Sequence, residues 1–595
     1  DQGGECELQD VSMDYGDDVS RYAEAKRVVS DRNAGSLIST DMTRCIHCTR
    51  CVRFGQEVAG MMELGATGRS EWMEIGTYIE KSVTSEMSGN MIDLCPVGAL
   101  TSKPYRYTAR SWELKAHRSI AAHDSMGSHI TVHSKNNKVM RVVPRENESI
   151  NEVWLSDRDR FSYEAVNSED RLTQPMIKQN GQWQEVDWET ALTFAVEGLK
   201  KVAADQTGVL ASANSTLEEL HLLQKLARSI GVENIDFRLR QSDFSADKNG
   251  FNTPSLAIDI AAVEKQKAIL LVGSYLRKEI PILNHRIRKA VGAGAKAFAI
   301  NPVEFKFNYD IVQSGADNGL VMELAAVAKA AGDKADWLEN IEPTDSQQAI
   351  AETLKVEENA TIMIGQISQN HPDFAAIVKL SNSIAEATGA SLSVLPMQAN
   401  EVGAHLVNFL PVKGKNSAEM LSSGMQSFIN MNIEPEHDVA QGDMALTAMK
   451  NAEFVLNLTA FDSETQRDYA DVLLPIATSV ETAGTFVNAN GLKQSFKMSV
   501  EPKGEAKAAW KILRVLGNML DINGFDYTHS NEVLSEVMDN HATNIDLSSI
   551  SVEMPTTNND AQVEILSPYA TDVLVRRAPS LQATPDASVE TMVKG

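Results

Sequence analysis

The segment 268-AILLVGSYLRKEIPILNHRIRKAVGAGAKAFAINP-302 holds a complete strand–helix–strand unit. Residues 268–273 are an unbroken apolar strand, 279–294 an amphipathic helix ended by glycine, and 296–302 a second strand. The unit recurs in 361-TIMIG-365, 372-PDFAAIVKLSNSIAEATG-389 and 391-SLSVLP-396, and a third round runs from 454-FVLNLT-459 to 471-DVLLPIA-477. Short apolar strands separated by helices of about a dozen residues or more predict parallel sheets covered by helices on both faces. The class is therefore α/β, with two interleaved units in the middle of the chain. The glycines of 291-VGAG-294 and 483-AGTFVNANG-491 do not follow a strand as G-x-G-x-x-G, so they read as helix ends and turns and not as nucleotide loops.

Working outward, 186-VDWETALTFAVEGLKKVA-203 has apolar residues at helical spacing and predicts a helix over about 187–204 capped by Asp187. Upstream, 128-SHITVHSKNNKVMRVVPR-145 is two alternating runs around Asn136-Asn137, a β-hairpin pattern. The run Asp157, Arg158, Asp159, Arg160 alternates in sign and either locks a joint between domains or simply faces water; the flanking apolar Trp154 and Phe161 favour the joint. Short helices are expected at 17–27 and 49–60, and a short strand around 73–79. Beyond about 553 the chain reads as strand-like to 575 and then as poor in core residues, with 584-TPDASVETMVKG-595 expected to fray.

The chain has 595 residues, which at roughly 150 per domain suggests three to four domains. Asp plus Glu number 81 against 55 Lys plus Arg, a formal charge of −26. Such a surface repels nucleic-acid phosphates, so no nucleic-acid partner is expected. The longest apolar stretches fall far short of the roughly 20 residues that span a bilayer, so no membrane span is expected. The sequence opens at Asp1 without an initiator Met and shows no leader, which reads as a processed or truncated form.

The five cysteines sit at 6, 45, 48, 51 and 95. Three within seven residues is not the spread of a disulfide scaffold; it belongs to a reduced compartment. Cys45-x2-Cys48-x2-Cys51 places three thiolates on one face of a cubane, and Cys95 in 94-LCPVGAL-100 supplies a fourth, with Pro96 stiffening the turn and Gly98 permitting close backbone approach. A [4Fe-4S] site is the preferred reading and a four-cysteine zinc site the alternative, since zinc sites more often pair two C-x2-C knuckles. Arg44, Arg50 and Arg53 interleave with these cysteines, and Lys103, Arg106, Arg110, Lys115 and Arg118 follow Cys95. They either offset thiolate charge or partner local acids. His47 is not needed as a fifth ligand. Cys6, in 1-DQGGECELQD-10, is a lone cysteine that looks like the end of a binding loop, with Gly3 and Gly4 in tight turns.

The segments 1-DQGGECELQD-10, 44-RCIHCTRCVRFGQEVAG-60, 94-LCPVGALTSKPYRYTARSWE-113 and 139-VMRVVPRENESINEVWLSDRDRF-161 resemble the large iron–sulfur subunit family of respiratory complex I, the NADH-quinone oxidoreductase. The resemblance covers essentially the whole chain. It implies an electron-transfer subunit of a proton-translocating NADH:quinone oxidoreductase, with Cys45, Cys48, Cys51 and Cys95 binding one [4Fe-4S] cluster. It implies that Cys6 is the last ligand of a second [4Fe-4S] cluster whose other three ligands, together with a [2Fe-2S] cluster, fall before Asp1. Implied partners are the flavin- and NADH-binding subunit and the quinone-side iron–sulfur subunits. The implied location is peripheral, on the cytoplasmic side of a bacterial inner membrane or the matrix side in mitochondria.

The C-terminal part of that family is similar to molybdopterin oxidoreductases such as formate dehydrogenase. Here the similar landmarks are 151-NEVWLSDRDRF-161, 399-ANEVGAH-405 and 471-DVLLPIATSVETAGTFVNANGLKQ-494. The stretch 119-SIAAHDSMGSH-129 lacks the cysteines that some bacterial forms use there for an additional cluster, and no molybdopterin is expected. The expected order is an iron–sulfur region over 1–108, a small β-rich domain over 109–170, interleaved α/β domains resembling molybdopterin oxidoreductases over 171–553, and a C-terminal segment over 554–595. A catalytic molybdopterin enzyme, a purely structural subunit and an iron-only hydrogenase are the rivals. The complete cysteine set argues against a bare scaffold, and the absence of later cysteines against a hydrogenase.

Overall fold

The computed structural model describes residues 3–17, 19–77, 82–249, 253–315, 319–540 and 563–594. Among them, two largely parallel sheets form the body. The smaller has five strands in the order Val312–Ser314, Lys296–Ile300, Ala268–Val272, Ala360–Ile364 and Ser391–Val394, all parallel. Every residue of Ala268–Val272 and Ala360–Ile364 is buried, as strands covered on both faces must be. The larger has seven strands in the order Asn234–Asp236, Thr207–Ala211, Ser427–Met431, Phe454–Thr459, Val472–Pro475, Met176–Gln179 and Gln182–Glu185. Its first five strands are parallel, and the last two form an antiparallel hairpin at the edge.

The chain enters the small sheet after leaving the large one and returns to the large one at Ser427, so the two units interleave as the sequence predicts. The ends of the inserted unit meet: Ser255 bridges Val394, and the Leu256 amide donates to the Ala489 carbonyl at 2.9 Å.

Helix boundaries follow local chemistry. The Asp187 carboxylate accepts the Thr190 amide at 2.8 Å and starts Trp188–Lys201, whose basic end carries Lys200 and Lys201. Pro281 occupies the first turn of Pro281–Gly292, where its missing N–H costs nothing. Gly389 takes φ 80° to end Phe374–Thr388. A three-stranded antiparallel sheet, Lys115–Ile120, His129–Lys135 and Lys138–Pro144, precedes the body. Its hairpin turns at Asn136 and Asn137 with φ 52° and 60°, the left-handed pair that a two-residue turn requires.

Two expectations fail. The described residues of 17–27 form no helix; a helix lies instead over Glu7–Tyr15. Val19 and Tyr22 are exposed, so 17–27 has no apolar face to bury, and a helix this short does not persist on propensity alone. Arg27 holds the segment extended, bonding the Met73 carbonyl and the Glu74 carboxylate at 3.2 Å each. The C-terminal segment shows neither a strand among residues 563–594 nor a frayed end: it packs as short turns and helices up to Val589–Lys594. Val575, Leu581 and Met592 are buried, and Asp586 pairs with Lys278 at 2.7 Å. The first part of the expected strand, 554–562, lies outside the described residues.

Candidate iron–sulfur site

Cys45 follows the turn Met42–Arg44, and the chain then curls through two non-glycine residues in the left-handed region, His47 at φ 54° and Thr49 at φ 61°. Such residues carry a backbone cost that surrounding structure must hold in place. The curl points the His47 amide at the Cys45 sulfur, 3.4 Å away, and brings Cys51 into the helix Arg50–Arg53. Cys95 caps the helix Asn90–Leu94, followed by Pro96 and by Gly98 at φ 63°. Cys45, Cys51 and Cys95 are partly buried against the same apolar cluster as Phe54 and Met42, and Cys48 is exposed.

The four thiols share one electrostatic neighbourhood. Burial first, then the proximity of Cys95, Cys45 and Cys48, pushes the Cys51 thiol up to about 12. Cys45 is raised by burial and by Cys95 and Cys48. Groups that repel one another as anions favour a bound cation cluster as the counter-charge. No three His, Cys, Asp or Glu groups among the described residues gather tightly enough for a single metal ion.

Cys6 is buried beside this site. Its sulfur accepts the Gln9 amide at 3.4 Å and caps Glu7–Tyr15, and the Leu8 amide bonds the Pro96 carbonyl at 3.0 Å. Burial raises its thiol, and Cys95 adds to that. Gly4, at φ 77°, leaves no room for a side chain: a Cβ there would lie 2.2 Å from the Ala109 carbonyl oxygen. Glu5 locks the loop down, accepting the Ser102 amide at 2.6 Å and pairing with Arg141 at 3.0 Å.

Of the basic residues flagged in the sequence, several serve local partners. Arg44 pairs with Asp41 at 2.6 Å, Arg106 with the same carboxylate at 3.6 Å, and Arg110 lies over Trp112. Arg50 and Arg53 are exposed.

The 157–160 run is the joint its alternation predicts, and it acts on Cys95. All four side chains are buried. Asp157 accepts the Ser88 hydroxyl and amide at 2.6 and 3.1 Å and the Gly89 amide at 2.6 Å, holding the start of the helix that ends at Cys95. Arg160 pairs with Asp93. Arg158 turns the other way, to Asp124 at 3.1 Å and the Glu279 carbonyl at 3.0 Å. Sequence reasoning missed a second brace: Glu86 receives Arg277 at 2.8 Å and Lys278 at 3.1 Å, and Lys278 reaches Asp586. No local spacing announces partners so far apart in the chain.

Comparison with known proteins bears on this arrangement. The chain is 35% identical over 547 residues to the NADH-ubiquinone oxidoreductase 75 kDa subunit of Reclinomonas americana, covering 88% of this chain and 74% of that one. It is 34% identical to an NADH-quinone oxidoreductase subunit of Rickettsia bellii, over 88% of this chain and 72% of the relative. The chain belongs to the large iron–sulfur subunit family of NADH-quinone oxidoreductase. Another family member, NADH dehydrogenase [ubiquinone] iron-sulfur protein 1 of Solanum tuberosum, is 36% identical, over 90% of this chain and 69% of its own.

Residues 35–101, with four of the five cysteines, match the ferredoxin-like domain of NADH-quinone oxidoreductase subunit 3. Residues 114–164 match the 4Fe-4S domain of the NDSU1/NuoG-like family. In this family member that second segment contains no cysteine at all. Residues 171–519 match molybdopterin oxidoreductases. The acetylene hydratase of Pelobacter acetylenicus shares the fold, with a TM-score of 0.52, 14% identity and 72% coverage of each chain.

Proposed function

We propose that this chain is an electron-transfer subunit of a proton-translocating NADH:quinone oxidoreductase, with Cys45, Cys48, Cys51 and Cys95 as the ligands of one [4Fe-4S] cluster. The observation that carries this reading is the curl at 45–51 facing Cys95, four thiols in mutual electrostatic contact within the segment that matches a ferredoxin-like domain. A bound cluster of this kind passes one electron at a time and so links a two-electron donor to later carriers. The protein's part is to hold four thiolates at fixed spacing, direct the His47 amide at sulfur and exclude water with Phe54 and Met42.

Cys6 is the last ligand of a second [4Fe-4S] cluster completed by residues upstream of Asp1, as is the family's [2Fe-2S] cluster. Partners are the flavin- and NADH-binding subunit and the quinone-side iron–sulfur subunits, at the cytoplasmic or matrix face of the membrane. No helix among the described residues is long and apolar enough to cross a bilayer, which fits a peripheral position.

The 109–170 and 171–553 domains serve as support without redox chemistry of their own. No thiolate is available there.

Anaerobic iron analysis of this 595-residue chain tests the assignment, with about four iron atoms per chain expected and about eight contradicting it. Cys48→Ala should abolish the reduced cluster's EPR signal; a signal of full intensity in that variant would remove Cys48 from the ligand set. Stoichiometric molybdenum or tungsten with pterin in the purified protein would overturn the supporting role of the body.

A further inference from the structure

Away from the cysteines, the carboxyl ends of strands from both sheets converge on the cavity of about 150 Å³. Gln366 and Asn370 follow the strand Ala360–Ile364, and Phe237 and Arg240 follow Asn234–Asp236. Open α/β sheets place their ligands at this position, beyond the carboxyl ends of parallel strands.

The charges of the wall sort into two groups. The acids are already served by the protein: Glu279 accepts the Ser274 hydroxyl at 2.7 Å and the Tyr275 amide at 2.9 Å. Glu401 accepts the Met397 and Gln398 amides at 2.7 and 3.2 Å, and Asp572 accepts from Asn214 at 2.7 Å and meets His123 at 3.0 Å. Arg238 is engaged by Asp236 at 3.0 Å and Asp247 at 2.8 Å. Arg240 differs. Its guanidinium donates to the His437 carbonyl and forms no ion pair among the described residues. Burial pulls its pKa down, and the nearby Asp438 and Glu564 carboxylates offset that only in part.

Around it stand groups with unused hydrogen-bonding capacity. The side-chain amides of Gln366 and Asn370 make no hydrogen bond among the described residues, nor does the His405 imidazole. Burial holds His405 down at about 3, so its ring is neutral and presents one donor and one acceptor. The remaining wall offers flat apolar faces: Phe237, which meets His405 edge to face at 5.1 Å, and Phe374. The volume accommodates roughly five waters at about 30 Å³ each, or a single six-membered ring with a small substituent.

We propose that this cavity binds an aromatic monocarboxylate, its carboxylate on Arg240 and its ring against Phe237 and Phe374. A partly buried guanidinium with no ion pair among the described residues gains a charge-assisted partner, and the polar groups left over orient the ligand. The proposal is independent of the cluster assignment, because no cysteine touches the cavity.

Isothermal titration of the cluster-loaded full chain with benzoate and with benzamide, its uncharged counterpart of similar shape, tests it. Benzoate should bind one per chain, at least tenfold more tightly than benzamide, and Arg240→Gln should remove that preference while leaving the cluster's EPR spectrum unchanged. Should Arg240→Gln fail to fold, Asn370→Leu, which fills the cavity from its edge, should weaken benzoate at least tenfold. The proposal is overturned if benzoate does not bind, if benzamide binds equally well, or if inorganic phosphate binds in its place.

Discussion

Asp157 accepts three hydrogen bonds in a buried site, so Asp157→Ala strands the Ser88 and Gly89 donors at the start of the Cys95 helix. Stranded buried donors cost about 1–3 kcal/mol, and the same variant should broaden the cluster's EPR lines by loosening Cys95. Unchanged melting and an unchanged spectrum would refute both. Burial pushes the Asp157 carboxyl up to about 7 from its ordinary 3.8. A carboxyl raised on folding favours the native state below its unfolded pKa and loses that contribution as pH rises through the folded one. Stability should therefore decline between about pH 4 and 7, with a shallower slope in Asp157→Asn, as pH-dependent chemical denaturation would reveal. The residues of the site differ in how far they can be read from sequence. Cys45, Cys48 and Cys51 announce themselves because their partners lie within seven positions, and Cys95 because a proline follows it. The alternation at 157–160 signals a joint but not which helix it grips, and Glu86, Lys278 and Asp586 give no sign, since an ion pair between distant segments leaves no periodicity.

Elements built on one local rule are legible, and elements resting on tertiary contacts are not. Ala268–Val272 and Ala360–Ile364 stand out as wholly apolar runs, but Ser427–Met431, equally buried, escapes notice because it carries Asn430. Its side-chain NH2 donates across the sheet to the Asn457 side-chain oxygen Oδ1 at 2.9 Å, which no reading of one strand reveals. The helix Trp188–Lys201 supplies a test in which two rules oppose each other. Gly198 lowers its helix propensity, and Ala would restore about 1 kcal/mol. Yet a Cβ at Gly198 would lie 2.2 Å from the Phe454 ring, and overpacking costs about 1–3 kcal/mol. The packing term should win, so Gly198→Ala is expected to lower the urea midpoint; a raised midpoint would show that the ring yields.

For the molecule as a whole, the C-terminal segment ties together parts far apart in sequence. Glu434 receives Arg576 at 2.8 Å and Arg577 at 3.0 Å, and Asp438 receives Arg576 at 2.6 Å. Burial alone would raise Glu434, but the two guanidiniums outweigh it and hold the carboxyl at about 2. A carboxyl lowered on folding stabilises above its unfolded value of 4.5 and loses that contribution as pH falls towards about 2. Hydrogen exchange across 563–594 should accelerate over that acidic window before the body unfolds. Glu434→Gln, which breaks a buried pair at a cost of about 3–5 kcal/mol, should show fast exchange already at neutral pH; protection equal to the parent protein would sink the tie. The interleaving of the two sheets has a consequence for synthesis. A ribosome delivers every strand of the inserted unit, through Val394, before it has made Ser427, so the smaller sheet can close on the nascent chain. Thr207–Ala211, already emerged, must wait with one edge bare for a neighbour more than two hundred residues downstream. During that wait it is a site for chaperones or for pairing with another nascent chain, and slowing translation between 395 and 427 should lengthen the exposure and increase aggregation without altering the finished protein.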